Sequence, residues 1–128
     1  MGFLAASRDR VGWISTGDPH DGKERLGAYV EFSAGSKVDE YPLPPIAPQA
    51  GAVLYGLALT DEGSAFATVL VSQGKEQMFS LNRETRGWDP VNPPGLPSGA
   101  SFLSGASGNT IAVWMMYTKE VHFYTVAK

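Results

Sequence analysis

The sequence predicts an all-β protein, and three observations lead there. Fifteen glycines and nine prolines cut the chain into short apolar pieces, and those pieces are rich in Val, Ile, Phe, Tyr and Trp, the residues that suit a pleated surface. No stretch keeps a 3.6-residue apolar period over three turns. The same order of parts also occurs three times, at spacings of 53 and 45 residues, close to the ~40–50 of four-stranded propeller blades.

The first unit, approximately 1–47, opens with the small-residue strand GFLAAS at 2–7 and the polar turn SRDR. VGWIST at 11–16 follows as a strong strand, then the loop GDPHDGKERL at 17–26, AYVEF at 28–32, and KVDEYPL at 37–43 as an outer edge strand. The Pro-rich PLPPIAPQAG at 42–51 carries the chain to the second unit, approximately 52–97. There LYGLAL at 54–59, the turn TDEG, SAFATVLVS at 64–72, MFSLN at 78–82 and GWDPV at 87–91 repeat the series. Thr60 to Gln73 is the best helical candidate, with Thr60 as an N-cap type. Strand is the reading adopted, because Val69 and Val71 are β-branched and Asp61-Glu62-Gly63 and Ser72-Gln73-Gly74 are turn chemistry.

The third unit, approximately 99–128, supplies SFLSGAS at 101–107, TIAVWMMY at 110–117 and VHFYTV at 121–126. Taken as equivalent, Ile14, Ala67 and Ala112 stand 53 and 45 residues apart. No fourth piece follows, so the last strand is expected to present an open row of backbone donors and acceptors, which invites pairing. The expected architecture is a single domain of three propeller-like antiparallel four-stranded units, a partial or oligomer-completed β-propeller. The alternative is a β-barrel or β-sandwich within one chain. Since propellers use about 4–8 blades, two copies would make a six-bladed ring, and a homo-oligomer is the expected assembly.

Composition narrows the function classes. The formal net charge is −3 with 18% charged residues, and no basic stripe of the kind nucleic acid demands is present. Apolar runs such as Ala65 to Val71 fall short of the ~20 residues of a membrane helix, so neither a nucleic-acid nor a membrane partner is expected. With no cysteine, thiolate metal sites, disulfides and Cys nucleophiles are excluded, and the compartment stays unread. Met1 to Ser7 lacks the basic and apolar regions of a complete signal peptide.

The segment Gly87 to Thr125, GWDPVNPPGLPSGASFLSGASGNTIAVWMMYTKEVHFYT, resembles a blade of the fungal and bacterial fucose-binding lectins. It has a Gly-Trp edge, a Gly/Pro-rich crossover, a small-residue inner strand and an aromatic strand leading to a hairpin. The resemblance implies a propeller that binds sugar between blades, although the arginine with which that family grips the sugar is Ala112 here. Asp61-Glu62-Gly63-Ser64-Ala65-Phe66 is also similar to the Asp-box turn of sialidase-type propellers, whose aspartate braces its own turn. An ordinary Asp-x-Gly hairpin turn is the commonplace alternative.

Candidate chemistry is sparse. No G-x-S-x-G elbow, Walker loop, H-E-x-x-H or dinucleotide fingerprint occurs, and no cofactor or metal is expected. His122 alternates with Val121 and Phe123 and is read as a structural histidine facing the other way. Asp18, His20, Asp21 and Glu24 form the densest polar cluster, with the residue types of a solvated turn. Asp39-Glu40 and Asp61-Glu62 are adjacent pairs, which an extended chain points to opposite faces.

Aromatics are the better lead. Trp13 and Trp114, in middle strands, are assigned to the core. Trp88, at an expected edge, is assigned an exposed ring, flanked by Arg83 and Arg86 as a polar rim. Together with Tyr117 and Tyr124 these are the candidate binding residues of a non-catalytic module recognising a glycan or a protein surface. The alternatives are a small carbohydrate-active enzyme using Asp18, Asp21 or Glu24, and a purely structural assembly subunit.

Overall fold

The computed structural model describes residues 2–15, 27–33, 35, 37–44, 53–71, 76–91, 101–115 and 119–126. Among them are eleven strands: β1 (Gly2–Ala6), β2 (Arg10–Ser15), β3 (Ala28–Ser33), β4 (Lys37–Pro42), β5 (Val53–Leu59), β6 (Ala65–Val71), β7 (Glu76–Asn82), β8 (Gly87–Val91), β9 (Ser101–Ser107), β10 (Thr110–Met115) and β11 (Glu120–Thr125). They form three antiparallel meanders. Sheet 1 has the order β1-β2-β3-β4, sheet 2 the order β5-β6-β7-β8, and sheet 3 the order β9-β10-β11. No ladder joins one sheet to another among the described residues, so the strands do not form the closed barrel of the alternative reading. Within the helical candidate at Thr60 to Gln73, Ala65–Val71 is strand β6, as β-branched Val69 and Val71 favour.

The turns behave as their residues dictate. At Thr60–Ser64 the Thr60 Oγ1 accepts the Ser64 N–H at 3.0 Å, and Gly63 takes φ +90°, a left-handed value that glycine adopts without a Cβ clash. After β7, Asn82 Oδ1 accepts the N–H groups of Glu84 and Thr85 at 3.1 and 3.2 Å, an Asx-type turn. β9 carries one register shift opposite Ala112 and Val113.

The sheets stack in chain order, with sheet 2 in the middle. Between sheets 1 and 2, Ile14, Tyr29 and Tyr41 pack on Tyr55, Leu57, Leu59, Ala65, Ala67, Val69, Phe79, Leu81 and Trp88. Between sheets 2 and 3, Ala58, Phe66 and Met78 pack on Ile111, Val113 and Met115. Both faces of sheet 2 are thus apolar, and its strands read as continuous hydrophobic runs for that reason. β5 lies between β1 and β9, so the first strands of the three meanders sit side by side.

The face assignments correct two expectations. Ile14 faces the following sheet, whereas Ala67 faces the preceding one. The proposed equivalence of Ile14 and Ala67 is therefore out of phase by one residue, and one residue reverses the face in a period-2 strand. Trp13, assigned to the core, lies on the outer face of sheet 1 and is 43% exposed. Trp114 is half-buried on the outer face of sheet 3, alternating with buried Val113 and Met115.

Gly12 marks the closest approach in the first core. A Cβ there would meet Tyr29 Oη at 2.7 Å, Tyr29 Cε1 at 3.0 Å and Leu59 Cδ1 at 3.1 Å. Tyr29 cannot retreat, because it is fully buried and its hydroxyl is hydrogen-bonded. Gly12→Ala is expected to destabilise the fold by about 1–3 kcal/mol through overpacking, read as a lower urea midpoint with an unchanged m-value.

Candidate functional site

The polar centre of the molecule lies where sheet 1 meets the β7–β8 turn of sheet 2. In β3 the alternation puts Tyr29 and Glu31 on the same inward face, and Glu31 is 3% exposed. A buried carboxylate needs paired partners. Arg83 supplies them across 52 residues of sequence: Nη1 donates to Glu31 Oε1 at 2.7 Å and Nη2 to Oε2 at 3.0 Å, a two-pronged pair. The same guanidinium donates to Gly63 O at 2.6 Å and to Tyr41 Oη at 3.2 Å. Tyr29 Oη donates to Glu31 Oε2 at 2.6 Å, and Arg10 Nη1 stands 3.5 Å from Oε1.

These contacts set the protonation states. Burial alone would raise the Glu31 carboxyl, but the Arg83 hydrogen bonds, the Tyr29 hydroxyl and the charges of Arg83 and Arg10 together hold it below the usual carboxylate range. Burial first, and the Glu31 hydrogen bond second, push the Tyr29 phenol up. The hydrogen bonds to Glu31 raise the Arg83 guanidinium against the effect of its burial. All three groups hold their ordinary neutral-pH forms, and the cluster fastens one sheet to the next.

The candidate binding residues fall in different places. Arg83, assigned to a rim, is the half-exposed side of that fastening, its side chain 34% exposed against 3% for Glu31. Trp88, assigned an exposed ring, is 8% exposed; its Nε1 donates to Pro42 O at 2.8 Å and its ring meets Tyr29 edge-on at 5.4 Å. The reason is the neighbouring sheet: the outer strand β8 is covered on this face by β4. Tyr124 packs against the core between sheets 2 and 3, where burial raises its phenol. Tyr117 and the cluster of Asp18, His20, Asp21 and Glu24 lie outside the described residues.

Arg86 keeps the surface position expected of it. It adopts φ +58° at the end of the β7–β8 turn, places its guanidinium 4.4 Å from the centre of the Tyr41 ring, and donates from Nη2 to Glu40 O. Next to this stacked pair an open cavity of about 490 Å³ is lined by Gly27, Ala28, Glu40, Tyr41, Pro42 and Leu43. Glu40 is exposed, whereas Asp39 alternates onto the other face of β4, so the pair does not converge. The cavity went unread in the sequence because its wall joins the start of β3 to the end of β4, brought level by the register of Ala28 with Pro42.

The remaining polar expectations resolve simply. His122 does face away from Val121 and Phe123, with Nε2 3.1 Å from Glu120 Oε2. Asp61 does not brace its own turn; its Oδ1 accepts the Arg8 N–H of the first unit's turn at 2.9 Å. Among the described residues no group of three or more His, Asp or Glu gathers as a cation site, and no helix is long and apolar enough to cross a membrane. No family model matches the chain, and no curated protein matches it.

Proposed function

We propose that the chain is a non-catalytic glycan-binding module built of three propeller-like units, with its ligand site in the cavity beside Tyr41 and Arg86. Support for the propeller-like arrangement comes from the three consecutive meanders and from β5 lying between β1 and β9, so that the first strands of the units sit side by side as the inner strands of blades do. The resemblance of Gly87–Thr125 to fucose-binding-lectin blades points the same way. The arginine that grips fucose in that family is Ala112 here, so the proposal names a sugar ring without naming fucose.

The observation that carries the ligand class is the composition of the cavity wall. Pro42 and Leu43 offer an apolar surface for the C–H face of a sugar ring, and Glu40 offers a carboxylate that accepts from paired hydroxyls. Arg86 holds two of the lining residues, donating to Glu40 O and stacking on the Tyr41 ring. An apolar surface with a few convergent polar groups is the usual make-up of a small-molecule site. Hydrolysis of a glycosidic bond ordinarily asks for two facing carboxylates, and Glu40 is the one acid among the described residues that line this cavity.

A glycan array followed by titration of the best ligand tests the reading. Glu40→Gln and Arg86→Ala are each expected to weaken binding by about tenfold, the size of one charged hydrogen bond, with the fold retained because both side chains are exposed. Bound sugar should be recovered unhydrolysed. Absence of any array signal, or binding indifferent to both substitutions, sinks the assignment.

A further inference from the structure

The stack of sheets leaves two apolar faces uncovered, one at each end. On the outer face of sheet 1 stand Leu4, Val11, Trp13, Phe32 and Val38; on that of sheet 3 stand Val121 and Phe123. Leu4 is 71% and Phe123 70% exposed. Glu40 is the one charged strand residue on the sheet 1 face among the described residues, and it sits on the outermost strand, where it borders the cavity.

The two faces differ in kind. Within the chain, each interface joins the following-side face of one sheet to the preceding-side face of the next, first in sheets 1 and 2, then in sheets 2 and 3. The uncovered face of sheet 1 is a preceding-side face and that of sheet 3 a following-side face. They are the two faces that would meet if the stack continued in the same sense.

We infer that a second copy of this chain covers both faces at once, sheet 3 of each copy packing on sheet 1 of the other. The result is a closed two-fold ring of six sheets, within the 4–8 blades a propeller uses. The inference rests on the propeller-like stacking proposed above and is independent of what the cavity binds.

Two further observations favour this occupant. The first is area: at roughly 200 Å² for an open aromatic ring and somewhat less for an aliphatic side chain, the exposed large hydrophobics leave on the order of 600 Å² per chain. Backbone and neighbouring small residues bring this toward the ~800 Å² per partner of a standard stable interface. The second is continuity of an inter-sheet relay. The Arg8 N–H of the first turn donates to Asp61 of the second, and the Asp61 N–H donates to Gly108 O of the third, each at 2.9 Å. The relay runs one way, and its continuation leads from the third turn of one copy to the first turn of the other. Apolar faces of this extent on one molecule are the usual mark of an interaction site.

Analytical ultracentrifugation of the 128-residue chain over a micromolar range should give a dimer. Leu4→Glu and Phe123→Glu, each at an exposed position and so compatible with folding, should each raise the dimer dissociation constant by about 30-fold or more, the size of a hot-spot loss. Near-UV circular dichroism verifies that the variants stay folded. The absence of cysteine allows a second readout: Phe32→Cys and Phe123→Cys chains treated with a short bismaleimide should cross-link when mixed, and neither should cross-link by itself. A folded monomer at all concentrations overturns the second copy while leaving the stacking of sheets intact. Cross-linking of Phe32→Cys chains to one another overturns the pairing of unlike faces, and the ring with it. A larger oligomer in which only the mixed chains cross-link overturns the two-copy closure.

Discussion

Arg83→Ala is expected to lower the stability of the fold by about 2–3 kcal/mol, measured by urea denaturation at neutral pH. Breaking a buried pair typically costs ~3–5 kcal/mol because one charge is left without its partner. The lower figure applies because the Arg83 side chain is 34% exposed and water already screens its outer end. The loss also strips Gly63 O and Tyr41 Oη of a donor. Arg83→Lys should recover little of it, since an ammonium cannot engage both Glu31 oxygens, Gly63 O and Tyr41 Oη from a single planar fork. Replacing both partners with apolar residues, as in Glu31→Leu with Arg83→Met, should be milder than Arg83→Ala, because no charge is then stranded.

The same variant changes the response to acid. In the wild type the Glu31 carboxyl is held below its ordinary range, so its contribution to stability is fully present above the unfolded-state carboxylate value and is lost as pH falls through the folded value. In Arg83→Ala the two Arg83 hydrogen bonds and its charge are gone while the Tyr29 hydroxyl and the Arg10 charge remain; burial, the largest influence, then weighs more heavily and the carboxyl rises from its wild-type position. Protonation then relieves the stranded charge, and the variant should gain stability relative to wild type as pH falls through that raised value. A gap between the two proteins that stays constant from neutral pH down to mild acid would contradict the assignment of Glu31 as the charged centre of the cluster.

Trp88→Ala is expected to cost about 3–5 kcal/mol, the range for deleting a buried large aromatic side chain. The indole fills the gap between β8 and sheet 1, meets the Tyr29 ring edge-on and ties Pro42 O through its Nε1. Trp88→Phe keeps most of the ring volume and gives up the hydrogen bond. Pro42 is exposed, so water replaces the donor, and the expected cost is about 1–2 kcal/mol. Fluorescence gives an independent check. The emission component lost in Trp88→Phe should be one that iodide does not quench, since the indole is 8% exposed. If Trp88→Ala left stability within about 0.5 kcal/mol of wild type, as surface substitutions do, the burial of this ring would be refuted.

These outcomes bear on the proposed binding site because Pro42 connects the two. The carbonyl of Pro42 holds Trp88, while Pro42 itself lines the cavity with Glu40 and Leu43. Trp88→Phe should therefore loosen the cavity wall, whereas Arg86→Ala acts only at its edge.

The strands themselves were legible in the residues. Each of the eleven apolar pieces between turns is a strand, and the three-fold order of parts became three meanders. Strand propensity, turn chemistry and period-2 alternation are local properties, governed by sterics within a few residues. Alternation also placed His122 opposite Val121 and Phe123, and separated Asp39 from Glu40.

What alternation leaves open is which face of a strand meets another sheet. Trp13 and Trp88 exchange their expected roles for that reason: sheet 1 has a neighbour on one side only, and Trp13 points to the other. Arg83 reads as a surface arginine in a turn until Glu31, distant in sequence and inward-facing beside Tyr29, is brought to within 2.7 Å. The residues alone settle the all-β class, the strands and the turns. Only the tertiary structure decided which rings are buried, which charges are paired and which faces stand open, because each depends on a contact between residues whose proximity no local preference encodes.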